Sequence, residues 1–420
     1  MTFCFKLQTA ARRFRRLALF LAVSSLGLVT PAFAKPGDFD PKFNIGGLGP
    51  KPSRTKGAYP LKDGRVLVTG PFRTWNGHDT PGIVLLEKNG KQVASFRPSK
   101  AAGEALGSPR LHQILPLSSQ RVLVLLDVNE IPRVQILNMD GSLADPAAPQ
   151  PGNLSMVALV QVTDGSFYGV GLGLNNDGSP TNYHALMIHF TRTGDYDNAY
   201  GQRELPLTLG SGGHFGPYLA LEPGGTLLLA LSGMYLTDDP TLGYLARLRL
   251  DGTLDPASKN LAFTSAYLDA VKVLANGSIL INSYPAARRG NAILPQVARL
   301  KANGQVDKTF NSDAFAKLTM FGNGLNILPT SGGRSIWILA FVTVKITNSR
   351  SPFWRTASAE IKMLRLTPDG EVDSHFVPIN VDQAKETPLF VIGDKIYYAY
   401  GAFPPRNGQP TSYFGRFLLK

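Results

Sequence analysis

Short runs in which apolar, β-branched and aromatic residues alternate with polar ones recur along the chain, each opened or closed by a tight-turn pair. Residues 65–69 (Arg-Val-Leu-Val-Thr), 121–125 (Arg-Val-Leu-Val-Leu), 278–281 (Ser-Ile-Leu-Ile) and 395–400 (Lys-Ile-Tyr-Tyr-Ala-Tyr) read as strands. Each follows a turn signal of one kind: Asp63-Gly64, Asp164-Gly165, Gly224-Gly225, Asn276-Gly277, Gly332-Gly333, and the degenerate Ser119-Gln120 and Gly393-Asp394. From Gly64 to Gly393 the spacing averages about 55 residues per step.

A second turn falls at Asn89-Gly90, Asp140-Gly141, Thr193-Gly194, Asp251-Gly252, Asn303-Gly304 and Asp369-Gly370. It follows strands such as residues 246–250 (Ala-Arg-Leu-Arg-Leu) and 298–301 (Ala-Arg-Leu-Lys). Asx-Gly between two β-rich runs signals a hairpin with φ > 0 at both central residues. A short strand with an Asp at fixed offset comes next (Asp197, Asp255, Asp307, Asp373), often with an aromatic three residues on (Tyr200, Phe310, Phe376). Each unit therefore reads as strand, tight turn, strand, long loop, strand, tight turn, short strand.

The predicted fold is all-β. One four-stranded antiparallel meander cannot bury both its faces, so the units must stack, and radial stacking gives a seven-bladed β-propeller. An open solenoid is the alternative, and the chain ends argue against it. Residues 413–420 match the third strand of a unit with no fourth strand after it, while Phe39-Asp40-Pro-Lys-Phe43 matches the fourth-strand pattern of Val306-Asp307-Lys-Thr-Phe310. Pairing the two closes the ring and removes exposed strand edges.

This unit, with Thr367-Pro-Asp-Gly-Glu-Val-Asp373 as its clearest copy, resembles the delta-60 repeat of exported bacterial proteins over about residues 38–420. The resemblance implies propeller architecture and export, and it brings no set of catalytic residues. Two units depart from the pattern: Ser119-Gln120 replaces the glycine turn with Leu143-Ala-Asp145 moving the Asp, and Ala94 stands where the first unit's Asp is expected.

The first 34 residues follow a different pattern. Arg12, Arg13, Arg15 and Arg16 precede an apolar run over residues 17–29, and Pro31-Ala-Phe-Ala34 follows it. That order describes a secretory signal peptide cut after Ala34, leaving 35–420 as a single propeller domain in the periplasm or outside the cell. A retained anchor and a twin-arginine leader are weaker readings of the same residues. Cleavage removes Cys4, the only cysteine, so disulfides, thiolate nucleophiles and Cys metal sites are excluded from the mature chain. It leaves 38 basic against 30 acidic residues, a net charge of +8 against +13 for the whole chain.

The tight turns define one face of the ring and the long loops the other, where binding residues are expected. Candidate ligand-binding residues are Arg73 and Trp75 in the first such loop, Tyr235 in the fourth, Arg288 and Arg289 in the fifth, Phe353, Trp354 and Arg355 in the sixth, and Arg406 in the seventh. The first loop also holds His78 and Asp79. Aromatics among arginines suit a sugar or an anionic polymer, because rings stack on apolar faces and guanidinium pairs with carboxylate or phosphate. The bland alternative is a set of solvated loops whose aromatics cap blade edges. The recurrent Asp residues are better explained as turn fixers than as catalysts.

No metal and no cofactor are expected. Six histidines are scattered, His184 and His189 are predicted to point to opposite faces of one strand, and residues 175–177 (Asn-Asn-Asp) are only a fragment of a calcium loop. No phosphate-binding loop, dinucleotide fingerprint or Gly-x-Ser-x-Gly occurs. The basic residues form no run, so nucleic acid is not an expected partner. The reading is a monomeric, non-enzymatic binding or scaffold propeller that holds a protein or an anionic or neutral glycan of the cell envelope. Its alternatives are a polysaccharide hydrolase or lyase and a structural module of a surface assembly.

Overall fold

The computed structural model divides the chain into Met1–Lys35 and Pro36–Lys420. It describes residues 40, 42–43, 45 and 57–418, apart from 108–110, 130, 146, 148–150, 175–179, 210–217, 237–238, 262–266, 285–287, 290–291, 296, 312–325, 330–334, 348–355, 377–378, 382–388, 393–394 and 400–413. The leader expected over residues 1–34 lies outside the described residues. No helix among them is long and apolar enough to cross a membrane.

Antiparallel three-strand ladders recur as the turn spacing predicts. The first joins Gly57–Pro60, Val66–Thr69 and Ile83–Leu86. The second joins Leu111–Pro116, Arg121–Val128 and Ile131–Asn138, and the next Leu154–Gln161, Phe167–Leu174 and Pro180–Phe190. Tyr218–Leu221, Leu227–Leu236 and Asp239–Leu248 follow, then Tyr267–Val273, Ile279–Tyr284 and Val297–Leu300. Asn326–Pro329, Ile336–Thr347 and Thr356–Leu366 precede the last ladder, Leu389–Ile392, Lys395–Ala399 and Phe414–Leu418. The strand Gln202–Leu209 pairs on both sides and joins the third and fourth ladders into one sheet.

Successive ladders pack through their first strands. Gly57–Pro60 lies beside Leu389–Ile392, which lies beside Asn326–Pro329, and that beside Tyr267–Val273. The series continues through Tyr218–Leu221 and Leu154–Gln161 to Leu111–Pro116. Ladders one and two share a core of Leu61, Leu67, Leu85, Ile114, Val122 and Val124. Another core unites the first and last, through Ala58, Val66, Val84, Phe43, Tyr397 and Phe414.

Three details differ from the sequence pattern. The fourth strand is in most units a single bridge, as in Leu300↔Val306 and Leu366↔Val372, because the Asp that follows turns the chain away. Asp307 Oδ1 accepts the backbone N–H of Thr309, and Asp373 Oδ1 that of His375. The repeated hairpins also have positive φ only at glycine, as at Gly90 (φ 89°). There Gly90 N–H donates to the carbonyl of Glu87, whose own N–H donates to Lys91 O, so the loop is a type I turn closed by a glycine bulge. The Asx residue stays on the ordinary side of φ, and its carboxylate or amide oxygen accepts the N–H two residues on, as Asn89 does from Lys91.

The Asp of the fourth strand has a second bond. Asp307 Oδ2 accepts Arg299 Nε at 2.7 Å, Asp373 Oδ2 accepts Arg365 Nε at 2.7 Å, and His189 Nδ1 lies 2.8 Å from Asp197 Oδ2. Backbone bonds align each pair, Asp307 N–H reaching Arg299 O and Asp373 N–H reaching Arg365 O. The guanidinium continues to the next unit: Arg299 Nη1 donates to Pro368 O, and Arg247, whose carboxylate partner is Glu222 rather than the aligned Asp255, donates from Nη2 to Ala302 O, each just before an Asx-Gly turn. In the first unit the aligned residue is Val93, not Ala94, since Val93 N–H donates to Leu85 O and Phe96 N–H to Val93 O. Leu85 and Val93 thus put an apolar pair in place of the ionic one.

Candidate functional site

The loop after Val66–Thr69 folds into a small hairpin, Thr74–Trp75 against His78–Asp79, closed by Asn76-Gly77. Here both turn residues have positive φ, 51° and 84°, as a two-residue turn between right-twisting strands requires. Alternation then sends Thr74 outward and Trp75 inward.

Trp75 corrects an expectation. Predicted as an exposed stacking residue, it is fully buried, 5.7 Å from the ring of Phe72 and 6.0 Å from that of Phe414. An indole that can fill the core between the first and last ladders gains more by burial than by waiting in solvent for a sugar. Asn76 Nδ2 adds a hydrogen bond to the carbonyl of Ile45. The hairpin is therefore pinned by the N-terminal segment and by the last ladder together.

A helix, Lys100–Gly107, stands opposite this loop, where the sequence pattern suggests only a connection. Ser99 caps it, its hydroxyl accepting Ala102 N–H at 3.2 Å. Ala102 and Leu106 enter the core, while Gly103 and Gly107 meet the loop backbone. A Cβ on Gly103 would lie 2.1 Å from Pro81 O, and one on Gly107 would lie 2.4 Å from Gly70 O. Only glycine permits this approach of helix to loop.

Between helix and loop lies a cavity of about 620 Å³, lined by Phe72, Arg73, Asp79, Lys100 and Glu104 with the prolines and glycines around them. Lys100, Gly103, Glu104 and Gly107 follow the i, i+3, i+4, i+7 spacing of one helix face. Arg73, Asp79, Lys100 and Glu104 are exposed. Their side chains make no ion pair or hydrogen bond within the described residues. The site thus offers two cations, two carboxylates and an apolar floor at Phe72.

Of the other sequence candidates, Arg73 lines this cavity and Asp79 from the same loop joins it. Tyr235 lies in the strand Leu227–Leu236, and Arg288 and Arg289 form a two-residue strand paired with Ala292–Ile293. Phe353, Trp354, Arg355 and Arg406 lie outside the described residues. Lys100 and Glu104 escaped sequence reasoning, although Ser99 before an Ala-rich run was a usable helix-start signal. Among the described residues no group of three or more His, Cys, Asp or Glu side chains is placed to hold a metal ion.

No family model matches the chain, and no curated protein matches it. Solved structures similar to it include an oligogalacturonate lyase from Vibrio parahaemolyticus, 10% identical, with a TM-score of 0.49 over 90% of this chain and 92% of that one. A puromycin-hydrolyzing peptidase from Mycobacterium tuberculosis is 13% identical with a TM-score of 0.48 over 92% of this chain. The chain spans 55% of that peptidase's length. A gluconolactonase from Xanthomonas campestris is 12% identical with a TM-score of 0.39. At these values the likenesses carry no argument about activity.

Proposed function

We propose that the chain is an exported protein of the delta-60 type whose repeats form one closed seven-bladed propeller, and that it holds a small polar component of the cell envelope in the cavity between residues 70–82 and 99–107. The ring reading is supported by the unbroken succession of first strands from Gly57–Pro60 round to Leu111–Pro116 and by the core that ladders one and two share. Export rests on the leader pattern in the first 34 residues.

The observation that carries the functional reading is the cavity itself. Its volume falls within the range of about 300–1,000 Å³ common to small-molecule sites, and its four charged groups are committed to no other interaction among the described residues. A thermal-shift screen of the purified protein against neutral saccharides, polyuronates and peptidoglycan fragments tests it. A ligand at 100 times its dissociation constant adds about 2.7 kcal/mol. Binding that is lost in Arg73→Gln supports the site, and binding indifferent to Arg73, Asp79, Lys100 and Glu104 refutes it.

One observation favours an enzyme, specifically a polysaccharide hydrolase or lyase: Asp79 and Glu104 line one cavity, and paired carboxylates are the usual machinery of glycosidic cleavage. Turnover that vanishes in Asp79→Asn and Glu104→Gln while binding persists would establish this reading. Binding without turnover across the same panel would leave the first.

A further inference from the structure

We infer that the ligand of this cavity is a zwitterion of the short-peptide type, carrying a free ammonium group and a free carboxylate on one compact body. The inference rests on the cavity being a ligand site and adds the chemistry of the ligand.

The lining holds Arg73 and Lys100 against Asp79 and Glu104, with no net charge. A polyanion drawn to the two cations would bring like charge against the two carboxylates, and a polycation would meet the converse. A neutral sugar could hydrogen-bond to all four groups but would bring no opposite charge to any of them. A molecule bearing both charges meets each sign with its opposite, and charge-assisted hydrogen bonds are about twice as strong as neutral ones.

The four charges also do not satisfy one another. Lys100 and Glu104 lie four residues apart on one helix, but with the lysine N-terminal, which is the weaker orientation for such a pair. Each sign is supplied from both walls. Arg73 and Asp79 come from the hairpin, Lys100 and Glu104 from the helix, so a bound zwitterion would bridge elements rather than decorate one. Phe72 and the prolines beside it, Pro71 and Pro81, give an apolar surface suited to methyl-sized side chains. Elsewhere the carboxylates of the repeat are spent on partners such as Arg299–Asp307 and Arg365–Asp373.

Titration calorimetry of the full exported protein tests the inference with trialanine, N-acetyl-trialanine, trialanine amide, polygalacturonate and chitotriose. Trialanine is expected to bind, and blocking either end should weaken it at least tenfold. In Arg73→Gln the free acid and the amide should approach one affinity, while Glu104→Gln should do the same for the free amine and the acetylated peptide. Absence of trialanine binding, or equal binding of the blocked peptides to wild type, overturns the inference. Polygalacturonate or chitotriose binding that Arg73→Gln abolishes would overturn the zwitterion and keep the site. If no probe's binding responds to either variant, the site falls with it.

Discussion

Arg416 grips Asp40 across the chain as Arg299 grips Asp307 within a hairpin. Asp40 N–H donates to Arg416 O at 2.8 Å, and Arg416 Nε reaches Asp40 Oδ2 at 2.8 Å, where the local pair has 2.8 and 2.7 Å. Phe43 N–H returns to Asp40 O as Phe310 N–H returns to Asp307 O. The guanidinium lies 4.7 Å from the Phe43 ring, against 5.0 Å for Arg299 and Phe310. Arg416 Nη1 then donates to Lys88 O, just before Asn89-Gly90, as Arg299 donates to Pro368 O before Asp369-Gly370. A residue from the start of the chain thus takes the place that sequence order supplies in the other units.

The Asp40–Arg416 pair is also the more buried, both side chains being 4% exposed. Taking the guanidinium away from a carboxylate this deeply buried costs about 3–5 kcal/mol. Arg416→Ala should lower the urea midpoint accordingly. Arg249→Ala provides the contrast, because Arg249 is half exposed and 3.9 Å from Asp255, so its loss should cost under about 1 kcal/mol.

Gly103→Ala should reverse a familiar rule. In a helix interior alanine is favoured over glycine by about 1 kcal/mol, yet here the methyl would strike the Pro81 carbonyl. We expect a lower melting temperature and weaker ligand binding, since the helix must back away from the loop. Gly152→Ala, where a Cβ meets open space, should leave melting unchanged or raise it slightly.

Several turn carboxylates titrate below the usual range. A hydroxyl from Ser166 holds Asp164 down, His189 does so for Asp197, and Thr253 and Thr309 hydroxyls act on Asp251 and Asp307. The folded state therefore binds these protons less tightly than the unfolded chain. The stability they contribute is complete above the unfolded carboxylate value, about 4, and disappears as pH falls through the lower folded values. Melting temperature should be level from pH 7 to about 5 and fall below about 4. At the alkaline end, burial pushes Tyr59 up to about 12, so its contribution holds below pH 10 and is lost as pH rises toward 12. A melting temperature constant down to pH 2 would contradict the acid half of this prediction.

The repeat was legible because its turns use residues with few alternatives: glycine where φ is positive, and Asx where a side chain must accept the N–H two residues on. The i, i+8 spacing of Arg299 with Asp307 and Arg365 with Asp373 is readable for the same reason once the hairpin is placed. Less was legible where local pattern competes with packing. Two residues of strand cannot announce that Trp75 points inward, and its direction is fixed by Phe72 and Phe414, the latter 339 positions away. The helix Lys100–Gly107 is too short for a periodic signature, and Gly103 and Gly107 argue against helix by propensity. Their reason, contact with the backbone of Gly70 and Pro81, is visible only in three dimensions. So half of the charged cavity, Lys100 and Glu104, stayed hidden while Arg73 and Asp79 could be read.

The segment around Phe43 and the hairpin Thr74–Asp79 belong to one packed unit, joined through Tyr397, Phe414 and Trp75. Phe43 stands 5.5 Å from the Tyr397 ring and 6.0 Å from the Phe414 ring, and Phe414 in turn supports Trp75 under the hairpin that carries Asp79. Hydrogen exchange of the Phe43→Ala variant tests this directly. The account predicts that amides in 72–80 and 414–418 lose protection together, while those of Tyr267–Val273 keep theirs. Loss confined to the residues around Phe43, with the hairpin exchanging as in the wild type, would contradict it.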